Sequence, residues 1–285
     1  MTKGSAARPF QAAGGQDADR PPAAAVPGGG DGPPQASLLG ALRLTVVGRQ
    51  VDLGPPRQRT VLAVLLVEAG QAVPMGVVID RVWDGAAPPG ARSGLYSYLT
   101  RLRRVLHQAG GGAEPPQLRR RHGGYLLDID PQQVDLHRFR RLVAQTHRAD
   151  VADPRRAVLL DEALALWGGV ALAGVPGTWA DRTREVVGRQ YLDAVLLWVQ
   201  VQLRRGCSGA VLAPARQLLA EHPLVEPLAA GLIEALRREG RFAEALDQFH
   251  MIRRRLAEEA GIEPGPELRR LYLRLLHGDS GALDG

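Results

Sequence analysis

Apolar and polar residues alternate from Leu42 to Val46, with Leu42, Leu44 and Val46 separated by Arg43 and Thr45. A period of two places those three side chains on one face of a strand. The turn residues Gly48-Arg49-Gln50, followed by Val51 and Leu53, make this a short antiparallel hairpin. The period then changes. Pro55-Pro56 opens a helix over Arg57–Ala69 that is nearly continuously apolar from Val61 to Val67, and Gly70 ends it as a C-terminal cap. A second helix starts at Pro74 and gathers Val78, Ile79, Val82 and Trp83, ending at Asp84-Gly85 and Pro88-Pro89. A third runs from about Ala91 to Gln108, with Leu95, Leu99, Leu102, Val105 and Leu106 spaced as one helical stripe.

Beyond a Gly110-Gly111-Gly112 loop, two short runs, Leu118–Arg121 and Tyr125–Leu127, flank His122-Gly123-Gly124 and predict a second hairpin. Hairpin, three helices, hairpin is the element order of a winged helix-turn-helix. From Val134 onward every segment has a helical period: 136–148, 154–166, 179–205, 210–221, 224–239, 242–260 and 267–277. Leu203-Arg204-Arg205-Gly206 and Leu236-Arg237-Arg238-Glu239-Gly240 resemble one another, and their glycines lie 34 residues apart, the tetratricopeptide spacing. The predicted fold is therefore mainly α: an N-terminal winged helix-turn-helix of α+β type, then an all-α tetratricopeptide-like bundle. Residues 1–36, rich in Ala, Gly and Pro, are expected to be a disordered tail. The winged helix takes 37–130, the helical domain 131–279, and 280–285 form a second tail.

Composition narrows the function. Hydrophobic residues make up 45% of the 285, enough for cores, and with aromatics at 5% those cores must be aliphatic. No apolar run approaches the ~20 residues of a membrane span, and Met1–Arg20 lacks the apolar region of a secretory signal. Cys207 is the only cysteine, which excludes an intramolecular disulfide and suits a reducing cytoplasm. The formal charge of +6 is unevenly placed: residues 37–130 carry 12 Arg against 7 acids, whereas 131–285 carry 21 against 20. A basic first domain beside a neutral second one points to an anionic polymer held by one module.

The third helix is the strongest candidate for that module's contact surface. With its leucines turned to the core, the opposite face presents Ser93, Tyr96, Ser97, Thr100, Arg101, Arg103 and Arg104. A helix fits the major groove of double-stranded DNA, where Arg donates to guanine and Ser or Thr reaches several base edges. Arg92, Ser93, Tyr96, Ser97 and Thr100 are assigned to the groove, and Arg101, Arg103 and Arg104 mainly to the phosphate backbone. Arg119, Arg120, Arg121 and His122 crowd the tip of the second hairpin, the wing, where a minor groove would offset their mutual repulsion. Tyr125 is expected to pack beneath it. Arg57 and Arg59, at the start of the first helix, are further candidates for a phosphate contact. An isolated amphipathic helix with a solvated polar face would look the same; the winged-helix order tips the balance.

No catalytic constellation emerges, so the chain is expected not to be an enzyme. A phosphate-binding Gly-x4-Gly-Lys loop cannot form, because Lys3 is the only lysine. The seven histidines show no metal-binding pair, and one cysteine builds no zinc site, so neither metal nor cofactor is expected. Two other readings stay open from the residues: a tetratricopeptide-type protein-interaction scaffold, and a repressor built from the same domains.

Three blocks also carry a family likeness. Leu53-Gly54-Pro55-Pro56-Arg57-Gln58-Arg59, Val78-Ile79-Asp80-Arg81-Val82-Trp83 and Tyr98 through Leu106 resemble the Streptomyces antibiotic regulatory protein family. So does Gly124-Tyr125 through Val134-Asp135-Leu136-His137-Arg138-Phe139, the junction into that family's bacterial transcriptional activation domain. The resemblance covers residues 38–277 and implies an OmpR-type winged helix without a receiver domain. It implies an activator that binds promoter direct repeats near the −35 element, as a head-to-tail dimer on the DNA. It further implies recruitment of RNA polymerase, including the sigma factor, to an antibiotic biosynthetic gene cluster, in the cytoplasm at the nucleoid. The chain departs from the family pattern at the 110–116 loop and at the Arg-Arg-Arg-His-Gly-Gly tip.

Overall fold

The Leu42–Val46 alternation forms the middle strand of a three-stranded antiparallel sheet in the computed structural model, which describes residues 33–109, 116–121, 123–148 and 152–277. Its strands are β1 (Gln35–Ser37), β2 (Arg43–Val46) and β3 (Arg49–Gln50). Leu44 and Val46 are buried, as the period of two requires. The turn sits one residue earlier than the glycine-led reading, at Val47-Gly48, both with positive φ (49° and 70°), the pattern of a two-residue hairpin loop. Val51 then donates its N–H to the Leu44 carbonyl at 2.8 Å.

β1 corrects one expectation. Gln35 and Ala36 fall within the tail predicted for 1–36, yet they pair with Thr45 and Leu44, and Ala36 is buried. Three strand residues directly after Pro33-Pro34 are too few to show a period. The rest of that tail, with 110–115, His122 and 278–285, lies outside the described residues.

α1 (Pro56–Val67) buries every residue from Thr60 to Leu66. It packs against α2 (Met75–Trp83), α3 (Ala91–Ala109) and the hairpin strand β6 (Gly124–Asp128), which explains why its sequence shows no polar face. A second sheet has the order β4–β6–β5, with β4 (Val73–Pro74) and β5 (Gln117–Arg121) flanking β6. The two-residue β4 was not legible in the sequence; here it anchors the hairpin to the start of α2.

The chain divides into two compact units. The first holds residues up to Gln145 together with Glu162–Tyr191; the second holds Thr146–Asp161 and the chain from Leu192. α4 (Asp135–Thr146) thus falls almost wholly in the first unit, and α6 (Thr178–Arg204) contributes its first half to it. Asp135 locks the N-terminal segment there. Its carboxylate accepts N–H bonds from Leu38 at 2.7 Å, Leu39 at 3.1 Å and Leu136 at 2.7 Å. Burial pushes this carboxyl above its ordinary value, against the opposing pull of the three N–H donors. Backbone bonds extend the same seam: Gly168 to the Leu39 carbonyl (2.7 Å), Leu172 to Leu38 (2.8 Å) and Ala173 to Gly40 (3.0 Å). His137 meets the Leu66 carbonyl at the end of α1, at 3.0 Å. Asp84, past α2, caps α6 by accepting from the N–H and hydroxyl of Thr178, both at 2.8 Å.

In the second unit, α8 (Glu226–Arg238) packs against α7 (Ser208–Glu221), α9 (Phe242–Arg255) and α10 (Pro266–His277), while one π turn, Leu256–Ala260, extends α9. Gly206 and Gly240 both take left-handed φ (74° and 73°), each closing one helix two residues before the next begins. The 34-residue spacing is therefore a structural repeat of helix, turn and helix. α5 (Asp153–Leu164) is tied to α6 by Arg204, whose Nε lies 2.7 Å from Asp153. That arginine, with Arg156, holds the Asp153 carboxyl down to about 2.

The Asp135 seam is testable. Replacing Asp135 with Ala strands three backbone donors and should lower stability by about 2–4 kcal/mol in urea or thermal unfolding. Asp135→Asn, neutral and still an acceptor, should cost less. An Ala variant with an unchanged midpoint would show that the seam contributes nothing.

Candidate nucleic-acid interface

α3 is oriented by its stripe: Leu95, Leu99 and Leu102 have no exposure and Leu106 has 2%. All eight α3 positions assigned to DNA contact, Arg92, Ser93, Tyr96, Ser97, Thr100, Arg101, Arg103 and Arg104, are exposed, Tyr96 at 41%. The helix contains no Asp or Glu. Among the described residues, Arg92, Arg101 and Arg104 have neither an ion pair nor a side-chain hydrogen bond, so their charge is uncompensated. Ser97 donates to the Ser93 carbonyl at 3.1 Å, which keeps its hydroxyl on the helix surface.

α2 sets the pitch of α3 through Trp83. The indole is buried, lies 6.2 Å from the Tyr98 ring, and would stand 3.4 Å from any Cβ at position 94, which is Gly94. Arg57 extends over this indole, its guanidinium carbon 5.8 Å from the centroid. Arg59 folds back, its Nε donating to the Gly54 carbonyl at 2.8 Å. Both remain exposed at the start of α1, and they differ in freedom: Arg59 already has a backbone partner.

The wing divides its arginines by strand alternation. Arg120 stands opposite Tyr125 and Leu118 opposite Leu127, so Arg120 shares its face with three buried side chains. Arg119 and Arg121 point the other way. Arg119 is engaged there, 3.0 Å from the Asp128 carboxylate and 3.3 Å from Gln117 Oε1. Arg120 and Arg121 have no such partner among the described residues. His122, the fourth expected wing residue, lies outside them.

On the α3 side of the wing, Tyr125 is 3% exposed, as expected for a residue packed beneath it. Burial pushes its phenol upward, the Tyr96 phenol adds to that, and Arg120 and Arg103 oppose it. These four side chains therefore form one cluster joining helix to wing. Arg103 belongs to it by two contacts: its Nε donates to the Leu118 carbonyl at 3.2 Å, and its guanidinium carbon lies 6.0 Å from the Tyr125 centroid. Sequence reasoning missed that difference between Arg103 and Arg104. A backbone carbonyl acceptor fifteen residues away leaves no signature in residue type.

Gly124 was read only as part of a turn. Its φ is not in the left-handed region; what it supplies is space, because an added Cβ would lie 2.2 Å from the Val73 carbonyl oxygen. Among the described residues there is no cluster of His, Cys, Asp and Glu able to hold a metal ion, and no helix long and apolar enough to cross a membrane.

Comparison with known proteins agrees with this layout. Residues 134–276 match the bacterial transcriptional activator domain family. The transcriptional regulator RedD of Streptomyces coelicolor is 34% identical over 253 residues, covering 86% of this chain and 71% of RedD. The regulatory protein DnrI of Streptomyces peucetius is 32% identical, covering 87% and 93% respectively. AfsR of Streptomyces griseus is 35% identical, but the chain spans only 25% of its length. A solved structure of Mycobacterium tuberculosis EmbR, in complex with a low-affinity phosphopeptide, superposes with a TM-score of 0.78 at 31% identity over 86% of this chain and 65% of that one.

A Gly124→Ala substitution should force β4 and β6 apart. The expected cost is about 1–3 kcal/mol, accompanied by faster amide exchange in β5 and β6 than in α1. Unaltered exchange in the hairpin would mean that the β4 contact does not hold the wing.

Proposed function

Because the chain belongs to the Streptomyces antibiotic regulatory protein family, we propose that it activates transcription by laying α3 in the major groove of promoter DNA with the β5–β6 wing against the adjoining minor groove. One observation carries this reading: a helix face with several arginines, no carboxylate and, among the described residues, no partner for the side chains of Arg92, Arg101 or Arg104. Unpaired cations at this density repel one another, and duplex DNA relieves that repulsion while releasing its condensed counterions. Arg92, Ser93, Tyr96, Ser97 and Thr100 take the base edges, and Arg101 and Arg104 the phosphates. In the wing, Arg120 contributes more than Arg119, because Asp128 already neutralises the latter. Arg57 is the better placed of the two α1 arginines for a phosphate, since Arg59 is held by Gly54.

The operator in this proposal is a direct repeat near the −35 element, occupied by a head-to-tail pair. The segment 37–130 serves as the DNA-binding domain, and the helical segment 131–279 meets RNA polymerase and its sigma factor. The targets are genes for an antibiotic or related secondary metabolite, and the protein works in the cytoplasm at the nucleoid. The regulatory names of its relatives support this placement.

On a duplex that the protein selects from a random pool, Arg101→Ala with Arg104→Ala should flatten the slope of log affinity against log salt by about two units. Arg120→Ala should weaken binding several-fold, and Arg119→Ala little. If the double variant kept both affinity and slope, α3 would not be the DNA-binding helix. With purified polymerase, activation predicts added transcript; reduced transcript would make the protein a repressor.

A further inference from the structure

We infer that Arg103 is a positioning residue rather than a phosphate contact: it clasps the recognition helix α3 to wing strand β5 and so sets the spacing between major-groove and minor-groove contacts. The inference rests on the DNA-binding reading of this face. Arg103 and Arg104 are adjacent, exposed and chemically identical, yet among the described residues only Arg103 of the two has side-chain partners. Its Nε–H is directed at the Leu118 carbonyl (3.2 Å), and the guanidinium lies over the Tyr125 ring (6.0 Å). Tyr125 is buried opposite Arg120, the wing arginine on this same face, and it adjoins the Tyr96 phenol of α3. Two side chains of α3, two turns apart on the same surface, therefore reach one tyrosine of the wing. Further attachment of the wing sheet comes from two residue pairs of β4, the Met75 N–H donated to the Gly123 carbonyl (3.4 Å) and the burial of Leu118, Tyr125 and Leu127.

A planar guanidinium donates from Nε while its flat face covers an aromatic ring; an ammonium, a compact point charge on a flexible stem, has no such face and does not reproduce that fixed geometry. Lysine should therefore restore the charge of Arg103 but not the clasp. A phosphate contact would show the opposite pattern, since lysine serves phosphate well as a point charge.

The test uses the full chain and a duplex selected by the wild-type protein from a random pool. Arg103→Met and Arg103→Lys are compared with Arg104→Ala. For Arg103→Met, affinity should fall about tenfold, with the hydroxyl-radical footprint of the wing lost and the salt slope flattened only as far as the wing's own cations leave the DNA. Guanine N7 protection by α3 should persist. Arg103→Lys should show the same lost footprint. Arg104→Ala should instead flatten the slope by about one unit and keep the footprint. If Arg103→Met flattens the slope with the wing footprint intact, or if lysine fully restores binding, the clasp is wrong and Arg103 is a phosphate contact. Should the wild-type protein select no duplex, the DNA-binding reading itself fails. The clasp has a separate readout in the free protein: Arg103→Met should raise the Tyr125 phenol pKa, assigned by NMR against Tyr125→Phe, and speed amide exchange in β5. No change in either would overturn it without reference to DNA.

Discussion

Burial of Leu95, Leu99, Leu102 and Leu106 against α1 fixes which way α3 faces, and the candidate interface depends on that orientation. Each leucine removed from water contributes on the order of 2 kcal/mol, so the stripe supplies several kcal/mol even after allowance for a compact unfolded chain. Exposed polar contacts on the other face contribute at most about 1 kcal/mol each. The apolar side therefore decides, and the arginines are carried outward as a consequence. α1 makes this possible by being buried on every side from Thr60 to Leu66. A helix with a polar face could not serve at once as floor for α2, α3 and β6.

Behind that floor, the first unit is closed by residues far along the chain. The stretch from Leu38 to Leu42 has β1 on one side in sequence and β2 on the other, and it exchanges backbone bonds with Gly168, Leu172 and Ala173. Asp135 ties the same stretch to the start of α4, His137 reaches α1, and Asp84 caps α6. Residues within the matched activator-domain segment thus stiffen the scaffold that presents α3. The change from strands to helices near residue 134 marks a change of element type, while the compact unit runs on to Gln145 and resumes at Glu162.

Much of this was legible in the sequence, for identifiable reasons. Long helices repeat their period several times, so α3, α6, α8 and α9 could be placed to within a few residues. Gly206 and Gly240 marked the helical repeat because a left-handed cap strongly favours glycine whatever packs around it. The exposed face of α3 followed from its buried one. What escaped was short or non-local. β1 and β4 have three and two residues, too few for any period. The Leu38–Leu42 seam is made by backbone atoms, and backbone bonds are indifferent to side-chain type. The wing was read as one run of cations because composition does not show Asp128 lying beside Arg119.

That last difference matters throughout, since among the described residues every Lys or Arg position is arginine. Residue type cannot distinguish a binding surface from a structural one when the same side chain is used for both. Partners can. In the second unit, Glu234 takes Arg237 and Arg238, and although burial pushes its carboxyl up, the two guanidiniums hold it below the ordinary value. Glu244 engages Arg241 and Arg216 in the same way. Such pairs add little stability at the surface, yet they remove charge that a polyanion would otherwise meet. On α3 there is no carboxylate to do so. The near balance of charge in 131–285 and the excess in 37–130 are the coarse sign of this arrangement. The finer sign is an arginine without a counterpart among the described residues, and Arg92, Arg101 and Arg104 share that property on one face of one helix.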